Sequence, residues 1–543
     1  MITLLILIPV LGAIIAASSN AEIAKRIAVA ASLLSTIISG VMYFTYNTAG
    51  GAMAFTEKVP WIPSLGISYH VALDGLSLPF VVLTALLTLV SVLAQFDQDK
   101  KSFYALFLVM QAGITGVFAS LDLVLFFLFW EVVLIPMFFI IGVWGYENRR
   151  YAAIKFVLYS LTGSVLMLVG ILALAFGVAN ATGQPLSFDF DVLKTQLEAI
   201  KALPGIGLIF WAFLAAFLIK LPAFPVHTWL PHAHTEAPTG GSIMLAGVLL
   251  KMGGYGILRF NLGLMPGEMQ TYQTVLAILA TVGVVYGAYC AMAQKDLKRM
   301  VAYSSVNHMG YVLLGIVSLN AMGIHGAVYQ MVAHGLITGL MFMMVGFLSH
   351  RTHTRVIANM TGMYAAMPVL GAIMWMAFLG GLGLPGMAGF IGEFTALSGT
   401  VKNPDTAVYG YISLLGIMIT AGFILYAIQR VLLGRAPGSS DDEHHDDHGS
   451  SHAHTKSHWH DLSPLELAAA APLVILSVVL GLYPNLLTPW IDGSTQALLE
   501  TVRGVTRLGD KGEAHFYEKC ECRNLGSGNG YNHDESLECQ LLP

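Results

Sequence analysis

Charge is what this chain has least of. Of its 543 residues only 11% are Asp, Glu, Lys or Arg, against roughly 25% in an ordinary soluble domain. The 27 basic and 32 acidic side chains are too few to cover the outside of a soluble fold of this length. A hydrophobic content of 56% excludes disorder as well. The net charge of −5 offers no basic excess to nucleic acid. Cysteine is also scarce, with four in the whole chain. Cys290 stands alone in an apolar segment, and Cys520, Cys522 and Cys539 fall in a small polar tail. That is no disulfide framework, and Cys520-Glu521-Cys522 alone is too little for a zinc site.

What the chain does have is continuous apolar runs and a mean hydropathy of +0.70. A lipid-embedded β-barrel would leave every second strand residue polar, which these runs do not. The expectation is an all-α, polytopic membrane protein. A spanning helix needs about 20 apolar residues. The runs predict about fourteen such helices, near 1–18, 24–46, 74–95, 102–119, 122–144, 151–178, 205–226, 240–262, 271–293, 301–318, 323–348, 367–397, 406–433 and 465–487. The first run lacks a basic flank and a small-residue cleavage site, so it reads as a membrane helix rather than a removable signal.

Basic residues suggest the orientation. Loops after odd-numbered helices hold Lys25, Arg26, Lys100, Lys101, Arg149, Arg150, Lys295, Lys298, Arg299, Arg351, Arg355, Arg435 and Lys456. Loops after even-numbered helices hold only Lys58, Lys194, Lys201 and Lys402. The odd loops are therefore expected in the cytoplasm and both termini on the opposite face. Residues 438–461 form a His/acidic linker, read as a solvated loop in preference to a weak metal site.

Most ionisable residues sit in loops or near helix ends, and Lys155, Arg259 and Arg430 can snorkel to the interface. Four cannot. Glu131 lies mid-helix in LDLVLFFLFWEVVLIP, Lys220 inside LIFWAFLAAFLIKLPAFP, Lys251 in GSIMLAGVLLKMGGYGIL and Glu393 in GLGLPGMAGFIGEFTAL. A charge at depth costs roughly 2.5–3.5 kcal/mol even on the lenient insertion scale. One Glu–Lys pair could be interhelical glue; two acids and two lysines on four helices suit proton movement better. Burial and pairing act oppositely on the proton affinity of such groups, so each can change charge when its partner moves. His308 in SSVNHMGY and His334 in QMVAHGLITGL are either hydrogen-bonding core residues or proton relays. In HTWLPHAHTE, residues 227–236, loop packing is favoured over a metal site, and helix capping is expected of Asp74 and Asp122.

Pro222 and Pro385 interrupt two long apolar segments five helices apart. Paired broken helices are a mark of internally repeated transporters, which points to two five-helix units, helices 4–8 and 9–13. The corresponding division is 1–100 for helices 1–3, 101–265 and 266–435 for the units, 436–463 for the linker, 464–490 for helix 14 and 491–543 for the tail.

These residues resemble a known family, the antiporter-like, proton-translocating membrane subunits of respiratory complex I. The resemblance rests on FWEVVLIPMF, KLPAFPVHTWLPHAHTEAPT, the lysine of LLKMGGYG, SSVNHMGY, AHGL and LPGMAGFIGEF, and covers roughly residues 60–435. It implies inverted repeats with helices 7 and 12 broken. It implies that Glu131 and Lys220 pair, that Lys251 is the central lysine, that His308 and His334 link the halves, and that Glu393 ends the second half-channel. Glutamate rather than lysine at that last position separates one family member from the L-like, N-like and Mrp types. A proton would pass from Lys220 to Lys251, then through His308 and His334 to Glu393. No redox group or metal is implied in this chain; flavin, iron–sulfur clusters and quinone belong elsewhere in the complex, and partners are other membrane-arm subunits and lipid. A bacterial or mitochondrial inner membrane is implied, the bacterial one favoured. The rival readings are an Mrp-type cation/proton antiporter, a membrane subunit of a hydrogenase-linked complex, and a helical scaffold without an ion path. His232 stands where relatives often carry aspartate, and the tail after about 500 matches nothing in the family.

Overall fold

The computed structural model describes residues 1–46, 51–95, 100–434 and 459–506. The linker reading falls almost wholly outside these residues, and the tail cysteines lie outside them altogether. Helices α1 (Ile2–Ser18), α2 (Ala21–Thr45), α3 (Leu78–Leu93), α4 (Lys101–Ala119), α5 (Leu123–Trp144) and α6 (Arg149–Thr182) come first. Then follow α7a (Ile206–Lys220), α7b (Trp229–Glu236), α8 (Thr239–Leu262), α9 (Gln273–Met292), α10 (Leu297–Val317) and α11 (Ala321–Thr352). The series closes with α12a (Pro368–Leu382), α12b (Ala388–Lys402), α13 (Ala407–Leu432), α14 (Pro464–Leu482) and α15 (Thr488–Thr506). Ten of these are long and apolar enough to cross a bilayer, and α1, α3, α7a and α12a are shorter apolar helices at the remaining expected positions.

Local chemistry sets the boundaries. Asp122 accepts from Val124 N and Leu125 N at the start of α5, and Asp296 accepts from Arg299 N, starting α10 four residues before the predicted 301. Two elements were not expected. Strands β1 (Ala54–Ile62) and β2 (Ile67–Leu73) form an antiparallel hairpin whose turn places Gly66 at φ +67°. The predicted start of the tail at 491 also falls inside α15, which buries Ile491, Ser494, Thr495, Leu498, Leu499 and Val502. That spacing is one helical face, and it lies along α11.

Both predicted interruptions are real. After Lys220 the chain leaves the helix, and Trp229 Nε1 donates to the freed Ile219 carbonyl at 2.9 Å. Between α12a and α12b, Gly383 and Gly386 take φ of +78° and +95°, conformations that glycine alone adopts without strain. At the α7 break a protein group thus satisfies the freed carbonyl, as the bilayer interior demands. Helix α8 is widened by π-turns at Leu245–Leu249 and Ile257–Leu262, with Lys251 in the α-helical stretch between them. Helices α8, α10 and α11 are almost wholly enclosed by the others and form the core.

Candidate functional site

The centre of α8 meets the centre of α11 through two polar side chains. Lys251, fully buried, donates to the Ala246 carbonyl one turn back and lies 2.6 Å from His334 Nδ1. The His334 ring stands edge-on to His308 of α10, with centroids 5.4 Å apart. His308 Nδ1 in turn lies 2.5 Å from Glu393 Oε1 of α12b, which also accepts from Gln330 Nε2 at 3.0 Å. Four of the six predicted residues therefore form one line, Lys251–His334–His308–Glu393, across four helices. Its order corrects the predicted one: His334, not His308, is next to the lysine. Sequence order is no guide here, because α10 and α11 run in opposite senses and pass their mid-points side by side.

Each histidine in this line engages a charged neighbour through Nδ1, and both Nε2 atoms are buried without a hydrogen-bond partner among the described residues. An imidazole with one nitrogen engaged and the other open can take a proton on one side and release it on the other. Glycine allows the approach of the helices. A Cβ on Gly392 would collide with Gln330 Oε1 and lie 2.6 Å from Gln330 Cα, so α11 and α12b touch there through backbone.

Lys220 ends α7a at the break, also buried. Its Nζ donates to Ser160 Oγ of α6 at 3.3 Å and lies over the rings of Phe156 and Trp130, 5.0 and 5.6 Å from their centroids. The expected contact with Glu131 is not formed. Among the described residues no ion pair joins them, and Glu131 Oε1 has no hydrogen-bond partner. The Lys220 ammonium lies between the Trp130 and Phe156 rings instead. The helix-7 break itself packs on α8: a Cβ on Gly253, two residues past Lys251, would lie 2.5 Å from the Phe217 carbonyl.

Sequence reasoning passed over other groups. Residues 229–236 are helix α7b rather than packed loop, and its His234 is fully buried, stacked on Phe342 at 4.4 Å with neither ring nitrogen partnered among the described residues. The signal was present, since a His/Glu cluster follows directly on a helix break. His232, the departure from the family pattern, contacts the Thr228 carbonyl at 3.0 Å and Lys155 Nζ at 3.4 Å. Arg259 does not snorkel: it is buried and paired with Asp74 at 2.6 Å. Asp74 accordingly does more than cap its turn.

Among the described residues one cluster has metal-ligand types, His70 on β2 with Asp189 and Asp191 at the start of the short helix Phe190–Lys194. A cation already sits there, because Lys58 Nζ lies 2.7 Å from Asp189 Oδ2, as does His70 Nδ1. Burial favours the neutral acid, but the hydrogen bonds from His70 and Lys58 prevail and hold Asp189 well below the usual carboxylate range.

Comparison with known proteins agrees with the helical membrane fold. The family model described as NADH:quinone oxidoreductase/Mrp antiporter, TM, matches residues 120–420. The F(420)H(2) dehydrogenase subunit M of Methanosarcina mazei is 38% identical over 511 residues, covering 93% of this chain and 99% of that protein. The NADH-quinone oxidoreductase subunit M of Rhodobacter capsulatus is 40% identical over 484 residues, 88% of this chain and 90% of its own length. Among solved structures, a chain of respiratory complex I from Thermus thermophilus with bound NADH superposes with a TM-score of 0.79 at 30% identity, covering 92% of this chain and all of that one. The Mrp complex from Dietzia sp. shares the fold, with a TM-score of 0.80 at 19% identity over 94% of this chain and 99% of that one. With a glutamate at the end of its buried line and subunits M among its relatives, the chain belongs to the NADH:quinone oxidoreductase/Mrp antiporter transmembrane family.

Proposed function

We propose that this chain is a proton-translocating membrane-arm subunit of an NADH:quinone oxidoreductase, coupling quinone reduction elsewhere in the complex to proton movement through its buried Glu/Lys/His residues. The observation that carries this is the contact line Lys251–His334–His308–Glu393. It is short-ranged, sealed from lipid, and made only of groups that change protonation. Such a line serves no scaffold, because each polar group at depth is a cost that apolar packing would avoid. Glu131 and Lys220 form the receiving end: a change in the field from Glu131 alters the charge of Lys220, which drives the proton on Lys251 toward His334, then His308, then Glu393. Moving one charge against ~150 mV takes roughly 3.5 kcal/mol, a work that rearrangement of a few buried charges can supply.

In this reading helices α4–α8 and α9–α13 are the two inverted units, an arrangement supported by the breaks in α7 and α12. Redox groups reside in other subunits. The nearest partners are the L-like and N-like antiporter-like subunits, and the membrane is the bacterial inner membrane, with both termini on its outer side. The named relatives work with F420H2 and with NADH, so what they share is the membrane step rather than the electron donor.

The test is Lys251→Ala in the assembled complex, with proton uptake and quinone reduction followed together in inverted vesicles. Pumping is expected to be lost with assembly retained. A wild-type ratio of protons to electrons would refute the proposal.

A further inference from the structure

Lys251, Tyr255 and Arg259 follow one another at four-residue intervals on α8, along one face of the helix. The line begins at the central lysine and runs toward the hairpin end of the protein. There a cavity of about 230 Å³ is lined by Asp74, Arg259 and the exposed Asp191 and Lys194, which open it to the surface. Only about 12 Å of helix, at 1.5 Å per residue, separates that cavity from Lys251. Lys251 Nζ itself turns back to the Ala246 carbonyl and His334, so a proton leaving this way would have to cross to Tyr255 and Arg259 along the shared face.

Each member is nevertheless fixed so that transfer stops. Tyr255 Oη donates its one proton to the Phe118 carbonyl at 3.0 Å and accepts from Arg259 Nε at 3.1 Å. Arg259 donates to Asp74 Oδ1 at 2.6 Å, and a guanidinium is not deprotonated in a protein. The same Asp74 oxygen accepts from Leu76 N, Ser77 N and Ser77 Oγ at 3.2, 3.0 and 2.9 Å. Arg259, Asp74 and Tyr255 are 6%, 3% and 1% exposed.

We propose that Arg259, held by Asp74, is a fixed cationic barrier that closes the hairpin end of α8 to protons, so that a proton on Lys251 leaves only through His334, His308 and Glu393. The inference rests on the proton-carrying role given above. A permanent positive charge repels both a proton entering from the cavity and one advancing from Lys251, as arginines do in pores that exclude protons. Without it, a membrane potential positive on that side would drive protons back along α8 and dissipate the work of pumping.

The complex is reconstituted in liposomes with quinone reduction blocked by an inhibitor, and passive proton influx is driven by a potassium diffusion potential and read with a trapped pH dye. The double variant Arg259→Gln/Asp74→Asn, which removes both charges of the pair, is expected to leak between wild type and Arg259→Gln, and Arg259→Gln, which leaves Asp74 unopposed, about tenfold faster than wild type. That is the effect of removing a unit charge about 12 Å away at an effective dielectric of about 20. Arg259→Lys and Asp74→Asn, which keep the cation, are expected to stay tight. A purely structural ion pair predicts the reverse pattern: Asp74→Asn leaks as much as Arg259→Gln, and the double variant is tight again. That pattern, or wild-type tightness in either cation-free variant, overturns the proposal. If Arg259→Gln does not assemble, the double variant, which buries no unpaired charge, takes its place. The leak is read without turnover, so its outcome is separate from that of Lys251→Ala, which bears on the proposed function.

Discussion

Replacing His334 by glutamine tests the order of the line directly. In the structure His334 is the only described side chain bridging the lysine and the second histidine: it lies 2.6 Å from Lys251 Nζ, and its ring is 5.4 Å from that of His308. Glutamine keeps the polarity and nearly the volume, so the Lys251 contact can be remade and the helices need not repack. It cannot, however, accept a proton and pass it on. Removing a positioned acid–base group slows transfer by about 10²–10⁴-fold, equivalent to roughly 3–5.5 kcal/mol in barrier height. A step slowed that far falls behind turnover, and pumping stops. The assay is dye-reported acidification of inverted vesicles alongside quinone reduction. Thr338→Val is the control, since Thr338 Oγ1 donates to the His334 carbonyl and contacts His334 Nδ1 at 3.3 Å without joining the ring to His308. Full proton stoichiometry in His334→Gln would refute the order Lys251–His334–His308–Glu393.

Two further outcomes follow from packing and from charge. Gly392→Ala is expected to force α11 and α12b apart, because its Cβ would fall 2.6 Å from Gln330 Cα, backbone that cannot yield cheaply. A loss of about 1–3 kcal/mol is expected as a lowered unfolding temperature of the detergent-solubilised complex, together with weakened pumping as Glu393 leaves His308. Asp189→Asn is expected to loosen the clasp between the hairpin and the loop before α7a by about 1–2 kcal/mol, the half-exposed Lys58 being discounted for screening. Asp189 is held below its unfolded value near 3.9. Its stabilisation is therefore complete above about pH 5 and declines as the pH falls through 4 toward the folded value. Denaturation midpoints should differ most between wild type and variant at neutral pH and converge in acid; a gap that widens in acid would contradict the assignment.

Much of this protein was written in its one-dimensional pattern. A spanning helix announces itself by length and apolarity, because the bilayer admits no unsatisfied backbone. Both broken helices were legible as prolines within such runs. The buried charges were legible because so few others compete with them, and Lys220, Lys251 and Glu393 are indeed buried, whereas Glu131 is half-buried.

What tertiary structure alone decided is which of those groups touch. Lys251 and His334 are 83 residues apart and His308 and Glu393 are 85, and no local pattern couples them. Helix phase could have predicted the contacts only if the helices had a solvent-facing side to orient. Enclosed on every side, α8, α10 and α11 have no solvent-facing side, so their few polar residues, such as Lys251, Tyr255 and Arg259 on α8 or Gln330, His334 and Thr338 on α11, mark a face without naming the helix it meets. Glu131 and Lys220 therefore read as a pair and fold as neighbours without contact, and Arg259 reads as an interfacial residue and folds as half of a buried ion pair. The sequence by itself determined that the chain lives in lipid and that Lys220, Lys251 and Glu393 lie at depth. The rotation of each core helix, fixed by close backbone approaches such as that at Gly392, decided how those residues form a line, because the apolar environment that exposes a charge to notice says nothing about the direction it faces.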